Sequence, residues 1–338
     1  MNSMSLKGMF AGVMSGSRIM NLIEQVRLSE RAPVLMYHRI LSDRAGNSCH
    51  VQPGMYVSGD TFEQQLRFLQ ERFRVVFLDE LLERSRAGKS LSGLCAITFD
   101  DGWIDNYNEA FPLLQRYEVP ATIFLATGFI GTQRLFWPEE LSRCLEHVDP
   151  QQLISKEVPI AMQHLGLAMT RLERGDWEQF VDSCIALMKG ISPQGRQDML
   201  SHLSEIVGGN PPDRQMLNWD EVRSMADSGL VRFGSHTVSH ELLDQLAPDA
   251  VRQEIADSCV TIVEQLGVPA RLFAYPNGNY SSNVQAVLGE QGLCGAVTTR
   301  RGLVERGVSP FEIPRISIHE DVGNTVSMFR SRMVVPFF

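Results

Sequence analysis

The sequence predicts an α/β fold organised on a parallel sheet, closed or open. Short β-branched and aromatic runs recur with amphipathic helical patterns between them, and such strand–helix alternation joins parallel strands through crossovers. The runs are also nearly continuous in apolar residues, as strands buried on both faces are. Length agrees. The chain has 338 residues, and a barrel of about 250 residues leaves room for an insertion.

The elements follow in order. Pro33–Tyr37 (PVLMY) is an apolar strand ending at His38. Asp60 opens a capping box with Glu63, and Phe62, Leu66 and Leu69 fall on one helical face. Phe73–Phe77 and Leu94–Phe99 are the next strands, and a helix carrying Tyr107, Ala110 and Leu114 follows the second. Further strands are Ala121–Leu125, Val231–Ser235, Arg271–Tyr275, Gly295–Thr298 and Ile313–Ile318. Between about 131 and 215 the alternation stops, and helices are expected at 139–146, 161–172, 176–189 and 193–207, closed by Gly208-Gly209-Asn210-Pro211-Pro212. The expected organisation is an N-terminal helical segment at 1–31 and a body at 32–338 that carries this stretch as a helical insertion, not an independent domain.

Composition narrows the function classes. Hydrophobic residues make up 43% and charged residues 21%, which excludes a disordered or low-complexity chain. A formal charge of −9 argues against nucleic acid as the main partner. Six cysteines without a CxxC pair read as buried free thiols of a reducing compartment. No apolar run approaches the about 20 residues of a transmembrane helix. Gly8–Met14 is too short and too mildly apolar for a secretory core, so a cytoplasmic protein is expected. Residues 5–28 suit a weakly amphipathic basic helix with Lys7, Arg18 and Arg27, either docked or frayed on the body or in peripheral contact with a membrane surface.

Three segments place reactive groups directly after a strand, where barrel enzymes keep their active sites. In Thr98-Phe99-Asp100-Asp101-Gly102, two adjacent carboxylates repel unless a cation relieves them; the same residues also compose an ordinary turn. In His236-Thr237-Val238-Ser239-His240, histidines at i and i+4 lie on one face of a helical turn and reach one metal. In Phe273-Ala274-Tyr275-Pro276-Asn277-Gly278, proline and glycine set a rigid turn that aims an N–H into a cleft, or a plain loop. One carboxylate and two histidines make a facial triad for a divalent metal, leaving the other aspartate as a general base.

The set TFDDG, HTVSH and FAYPNG resembles the polysaccharide deacetylase family, also called the NodB-homology or carbohydrate esterase family 4-like group. PVLMYHRI and FEQQLRFLQERFRVVFLDEL are similar to its branch acting on bacterial surface polysaccharides. The resemblance covers roughly 32–130 and 216–320. It implies a distorted (β/α) barrel of about seven strands with a helical insertion, and metal-dependent removal of an acetyl group from a sugar. By position it implies Asp100 as catalytic base, Asp101, His236 and His240 as metal ligands, and the Tyr275 N–H as oxyanion donor. His319, in Arg315-Ile316-Ser317-Ile318-His319, matches the general acid, or else is a surface histidine after an edge strand. The ligand types favour Zn2+, with Co2+, Ni2+ or Mn2+ as alternatives. The expected partner is an acetylated glycan or a lipid-linked sugar precursor. Removal of a formyl or other amide group from a lipid-linked sugar and non-catalytic carbohydrate binding are the competing readings.

The family's Arg-Pro-Pro-Tyr form of the third motif is replaced by Ala-Tyr-Pro-Asn-Gly, and its Asp-Trp motif has no clear counterpart. The arginine that orients the base is then Arg271, Arg315 or neither. His38 either lines the cleft or packs at its strand end, and Trp137 is either a sugar-stacking wall or a core aromatic.

Overall fold

The computed structural model describes residues 18–42, 51–52, 54–155, 158–173, 176–208 and 213–335. The expected basic segment before residue 18 lies outside the described residues. The chain divides into two compact units, one of Met1–Ser42, Pro53–Thr132 and Arg214–Phe338, the other of Asp43–Gln52 and Gln133–Asp213.

The first unit is a closed parallel barrel. Its seven strands are β1 (Val34–Tyr37), β5 (Leu94–Phe99), β6 (Ala121–Leu125), β7 (Val231–Ser235), β8 (Leu272–Ala274), β9 (Gly295–Arg301) and β10 (Ile313–Ser317). They pair in the ring β1-β10-β9-β8-β7-β6-β5, which closes because β5 also pairs with β1, from Val34↔Ala96 to Tyr37↔Phe99. The expected strand Phe73–Phe77 shrinks to β4 (Arg74–Val75), laid against Leu94 and Cys95 at the start of β5. Two short strands that the apolar pattern did not reveal, β2 (Arg39–Leu41) and β3 (Tyr56–Ser58), pair with each other.

Alternate residues of each strand enter different cores. Val34, Ala96, Phe124, Ala274, Val297 and Ile313 cluster together. They come from six strands around the ring, so they meet inside the barrel. Their neighbours Leu35, Tyr37, Ile97, Phe99, Ile123 and Leu125 pack outward against helix residues. Every position of β1, β5, β6 and β8 is buried, which is why these strands read as unbroken apolar runs.

Helices sheathe the ring: α1 (Arg18–Arg27), α2 (Gly59–Arg72), α3 (Leu78–Arg86) and α4 (Phe111–Arg116) in the first half of the unit. In α2, Phe62, Leu66 and Leu69 are fully buried as the pattern required. Its cap is Ser58, whose hydroxyl accepts the Thr61 N–H at 3.2 Å, and not Asp60. Glu63 turns instead to the Tyr117 hydroxyl and Arg67.

The second unit holds α5 (Trp137–His147), α6 (Pro150–Leu153), α7 (Ile160–Met169), α8 (Trp177–Met188) and α9 (Pro193–Val207). It has an apolar core of its own, with Leu141, Leu145, Leu153, Val181, Ile185, Leu200 and Leu203 nearly inaccessible. Trp137 packs against that core, with the Arg196 guanidinium 4.8 Å from its ring. Back in the first unit, α10 (Trp219–Asp227), α11 (Pro248–Leu266), α12 (Ser282–Glu290), α13 (Glu320–Gly323) and α14 (Val326–Val334) complete the sheath. Cys95, Cys144, Cys184, Cys259 and Cys294 are free thiols, and Cys49 lies outside the described residues. No described helix is long and apolar enough to cross a membrane.

Candidate metal centre

The three strand-end motifs converge. Asp101 Oδ1 lies 3.3 Å from His236 Nε2 and 3.4 Å from His240 Nε2, and the donor atoms of the three residues all fall within 4.8 Å of one another. One carboxylate and two imidazole nitrogens facing a common point are the donor chemistry of a borderline divalent cation. The second histidine nitrogen supports the fit. His236 Nδ1–H donates to the Ala274 carbonyl at 2.7 Å, which turns Nε2 toward Asp101 and leaves it as the ligating nitrogen when a metal takes the place of its proton.

The backbone at this corner is unusual. Asp101, Thr237, His240 and Asn277 have φ of 79°, 67°, 60° and 54°, a left-handed region that non-glycine residues seldom enter. Four such residues in three neighbouring loops mark strain concentrated at one place. Gly102, at φ 87°, continues the turn behind Asp101, where an added Cβ would stand 2.9 Å from the Ile130 and Leu125 side chains.

The His236–His240 segment is a loop and not the expected helical turn. Its shape comes from Glu254 of α11, whose carboxylate accepts the Val238 and Ser239 N–H groups at 2.9 Å each and the Ser239 hydroxyl at 2.6 Å. Thr237 Oγ1 accepts the His240 N–H at 2.9 Å. The rings then stand edge to face with centroids 4.8 Å apart.

The adjacent aspartates have different partners. Asp100 takes both ends of the Arg315 guanidinium, at 2.7 and 2.6 Å, and Arg315 is fully buried, held also by the Thr298 carbonyl and Thr98 Oγ1. Arg315 is therefore the arginine at the base position. Arg271 is half exposed and pairs with Glu83 at 3.1 Å. Burial would raise the Asp100 carboxyl, but the Arg315 charge and hydrogen bonds outweigh it and hold the group below its usual range. Burial likewise opposes ionisation of Asp101, and the His236 hydrogen bond with the His240 charge reverses that, so Asp101 is a carboxylate. Burial and the His236 charge press His240 down to about 4. Burial acts the same way on His236 but loses to the Asp101 hydrogen bond and the Asp100 charge, and its pKa rises.

Asp101 has a second anchor that the motif did not disclose. Trp103, fully buried, donates its indole N–H to Asp101 Oδ2 at 2.8 Å. The Arg39 guanidinium stacks 4.4 Å from the Trp103 ring and is fixed by the buried Asp105 at 2.8 Å, which also accepts the Ile40 N–H. Arg39 and Asp105 are 66 positions apart, so no local spacing could signal the pair.

His38 lies within electrostatic range of Asp100, Asp101, His240 and His319, and its Nδ1 is buried without a hydrogen-bond partner. His319 belongs to the same neighbourhood. It follows β10 and caps α13, with Nδ1 buried and 3.6 Å from Asp321, beyond hydrogen-bond reach. Burial lowers its pKa.

The Tyr275 expectation requires correction. The Tyr275 N–H donates to the Val297 carbonyl at 3.3 Å in the β8–β9 ladder, and its hydroxyl donates to the Phe311 carbonyl. That amide is spent on the sheet. In the following turn the Gly278 and Asn279 N–H groups bond to Tyr275 and Pro276 carbonyls, and Pro276 has no N–H. The Asn277 N–H is the one left for a ligand.

The family model for polysaccharide deacetylase matches residues 88–150 and 201–295. YxkH of Bacillus subtilis (strain 168) is 33% identical over 119 residues, 35% of this chain and 39% of that protein. The poly-beta-1,6-N-acetyl-D-glucosamine N-deacetylase of Staphylococcus aureus (strain MSSA476) is 35% identical over 78 residues, 23% of this chain and 27% of that protein. The chain thus spans about two fifths or less of these curated relatives. Among solved structures, the Streptococcus pyogenes deacetylase PplD in complex with acetate superposes with a TM-score of 0.60 at 20% identity, covering 90% of this chain and 98% of that one. IcaB from Ammonifex degensii gives 0.56 at 22% identity, covering 89% and 97%. These two likenesses concern the fold, the seven-stranded (β/α) barrel. The polysaccharide deacetylase model thus matches the part of the chain that carries the Asp100-Asp101 pair and both histidines.

Proposed function

We propose that the chain is a metal-dependent hydrolase that removes the acetyl group from an N-acetylated sugar of a bacterial surface polysaccharide or its precursor. The observation that carries this reading is the Asp101–His236–His240 corner beside an Asp100 clamped by Arg315. The matched relative from Staphylococcus aureus, a deacetylase of poly-beta-1,6-N-acetyl-D-glucosamine by name, supports an N-acetylglucosamine polymer as substrate.

Asp101, His236 and His240 would hold the metal, and Zn2+ suits the donors. When bound, the metal supplies Lewis-acid polarisation of the acetyl carbonyl and a lowered pKa for the attacking water. Asp100 accepts the proton of that water. Arg315 keeps it ionised and fixes both oxygens, which still have lone pairs facing away from the guanidinium. The Asn277 N–H, in place of Tyr275, donates to the oxyanion of the tetrahedral intermediate. His319 delivers a proton to the departing amine. It must carry that proton when the substrate binds, and because burial lowers its pKa, the donating form thins out as the pH rises.

The test is acetate release from oligomers of N-acetylglucosamine by the purified chain, before and after treatment with a chelator and after Zn2+ is restored. Loss and recovery of activity, with one equivalent of metal bound, are expected. Formate release from N-formyl sugars without acetate release would transfer the reading to a deformylase. Sugar binding with no hydrolysis under any metal would make the chain a binding protein.

A further inference from the structure

A second polar cavity lies outside the metal corner, where the end of α1 and the segment after it meet the β9–β10 connection. Its wall includes Arg27, Arg31, Arg300, Arg301 and Arg306 against one carboxylate, Glu305. This concentration of positive charge sits in a chain whose net charge is −9. Among the described residues the two neighbouring carboxylates are used up on two of these arginines. Glu305 is taken by Arg31 at 2.8 Å, and Glu30 is taken by Arg306. Arg27 Nε is buried with no hydrogen-bond partner. Arg300 finds only the Glu312 carbonyl, at 3.0 Å, and Arg301 donates to the carbonyls of Arg332 and Val335 at 2.5 and 2.7 Å.

Guanidiniums collected this way repel one another. Burial, with Arg332 and Arg27 nearby, pushes Arg301 down to about 10. An anion in the cavity removes the repulsion and offers a partner to Arg27 Nε. A doubly charged oxyanion suits the site better than a carboxylate, because forked N–H pairs match its several oxygens and its charge offsets more than one arginine.

We propose that this cavity is a binding site for a phosphate group. Two sources share that chemistry: a soluble phosphate or diphosphate ester, and the headgroup of an anionic lipid. The same helix exposes Leu22 and Val26, 60% and 64% accessible, one turn apart on α1, as a lipid-facing helix would.

The experiment titrates the full chain with inorganic phosphate and pyrophosphate by calorimetry, and with vesicles of phosphatidylglycerol or phosphatidylcholine by cosedimentation. Saturable binding of a phosphate probe is expected. It should weaken roughly tenfold or more in Arg27→Gln/Arg300→Gln, as charge-assisted contacts are lost, and persist in Asp101→Ala, whose metal corner is broken. Arg300 is exposed, so Arg300→Glu alone serves if the double variant does not fold. Arg67→Gln/Arg116→Gln, elsewhere on the surface, should bind as the parent does. Binding of phosphatidylglycerol vesicles alone, sensitive to Arg300→Glu, identifies the lipid source; pyrophosphate binding without vesicle binding identifies the soluble one. No saturable binding of any probe, binding indifferent to the arginine variants, or binding that vanishes with Asp101→Ala overturns the proposal. Acetate release by the arginine variants should equal that of the parent, which separates this site from the proposed hydrolytic one.

Discussion

Two strand ends of the barrel each present histidine to the cleft, and they are built in opposite ways. After β7, the His236–His240 loop is held at every turn: Glu254 receives three donors, Thr237 receives the His240 N–H, and the Ala274 carbonyl fixes His236. After β10, His319 has a buried Nδ1 with no hydrogen bond and an exposed Asp321 just out of reach. The difference teaches which task each end performs. A ligand must hold one lone pair on one point, and second-nitrogen contacts supply that constancy. A proton donor must change its own charge during turnover, and a strong fixed partner would bias it to one state. The first region is preorganised and the second is left responsive.

The largest effect should come from breaking the preorganised corner itself. Asp101→Ala and His236→Ala each remove a donor, and stoichiometric metal should disappear by elemental analysis. Acetate release should fall on the order of a thousandfold or more, the loss of several kcal/mol of charge stabilisation. Full activity in either variant would refute the metal assignment. His319→Gln should come next, with kcat falling by about 10² to 10⁴ as for a general acid, while metal content stays at one equivalent. That split between metal retained and rate lost is what the contrast between the two strand ends requires.

His319 also sets a pH signature. A general acid works in its protonated form, so its pKa marks the alkaline limb of kcat/KM. Burial lowers that pKa, so the limb should lie below the about 6.5 of an ordinary histidine, and activity should fall as pH rises through it. In His319→Gln the residual rate should lose this limb. A limb that survives unchanged belongs to another group.

What the residues disclosed in advance follows the range of the interaction. The barrel strands were legible because every position in runs such as Leu94–Phe99 is buried, leaving unbroken apolar segments. The three motifs were legible because each stands at the end of a barrel strand. Long-range pairings were not. Arg271 precedes β8 and Arg315 lies within β10, and only closure of the ring sends Arg315 inward to Asp100 and Arg271 outward to Glu83. The spacing of His236 and His240 suggested a helical turn, yet Glu254 on a distant helix shapes a loop instead. Tyr275 and Asn277 could not be told apart as amide donors until the β8–β9 ladder claimed the first. Trp103 stood beside the aspartates, but its role depends on Arg39 and Asp105, far from each other in the chain.

The smallest predicted effect probes how far preorganisation extends beyond the ligands. Trp103→Phe keeps most of the buried ring and the Arg39 stacking surface, and removes the one N–H that Asp101 Oδ2 receives. Asp101 Oδ1 would still face both histidines, so the metal should still bind. Its affinity should fall by about 10- to 100-fold, the usual consequence of losing a hydrogen bond to a ligand, and acetate release at saturating metal should recover most of the parent rate. If Trp103 served only to fill the core, metal affinity would be unchanged and only thermal stability would drop. A fall in affinity without a comparable fall in stability therefore assigns the indole N–H to holding the carboxylate. It would extend the rigid side of the contrast from the His236–His240 loop to the turn that carries Asp101, leaving His319 as the compliant group at the cleft.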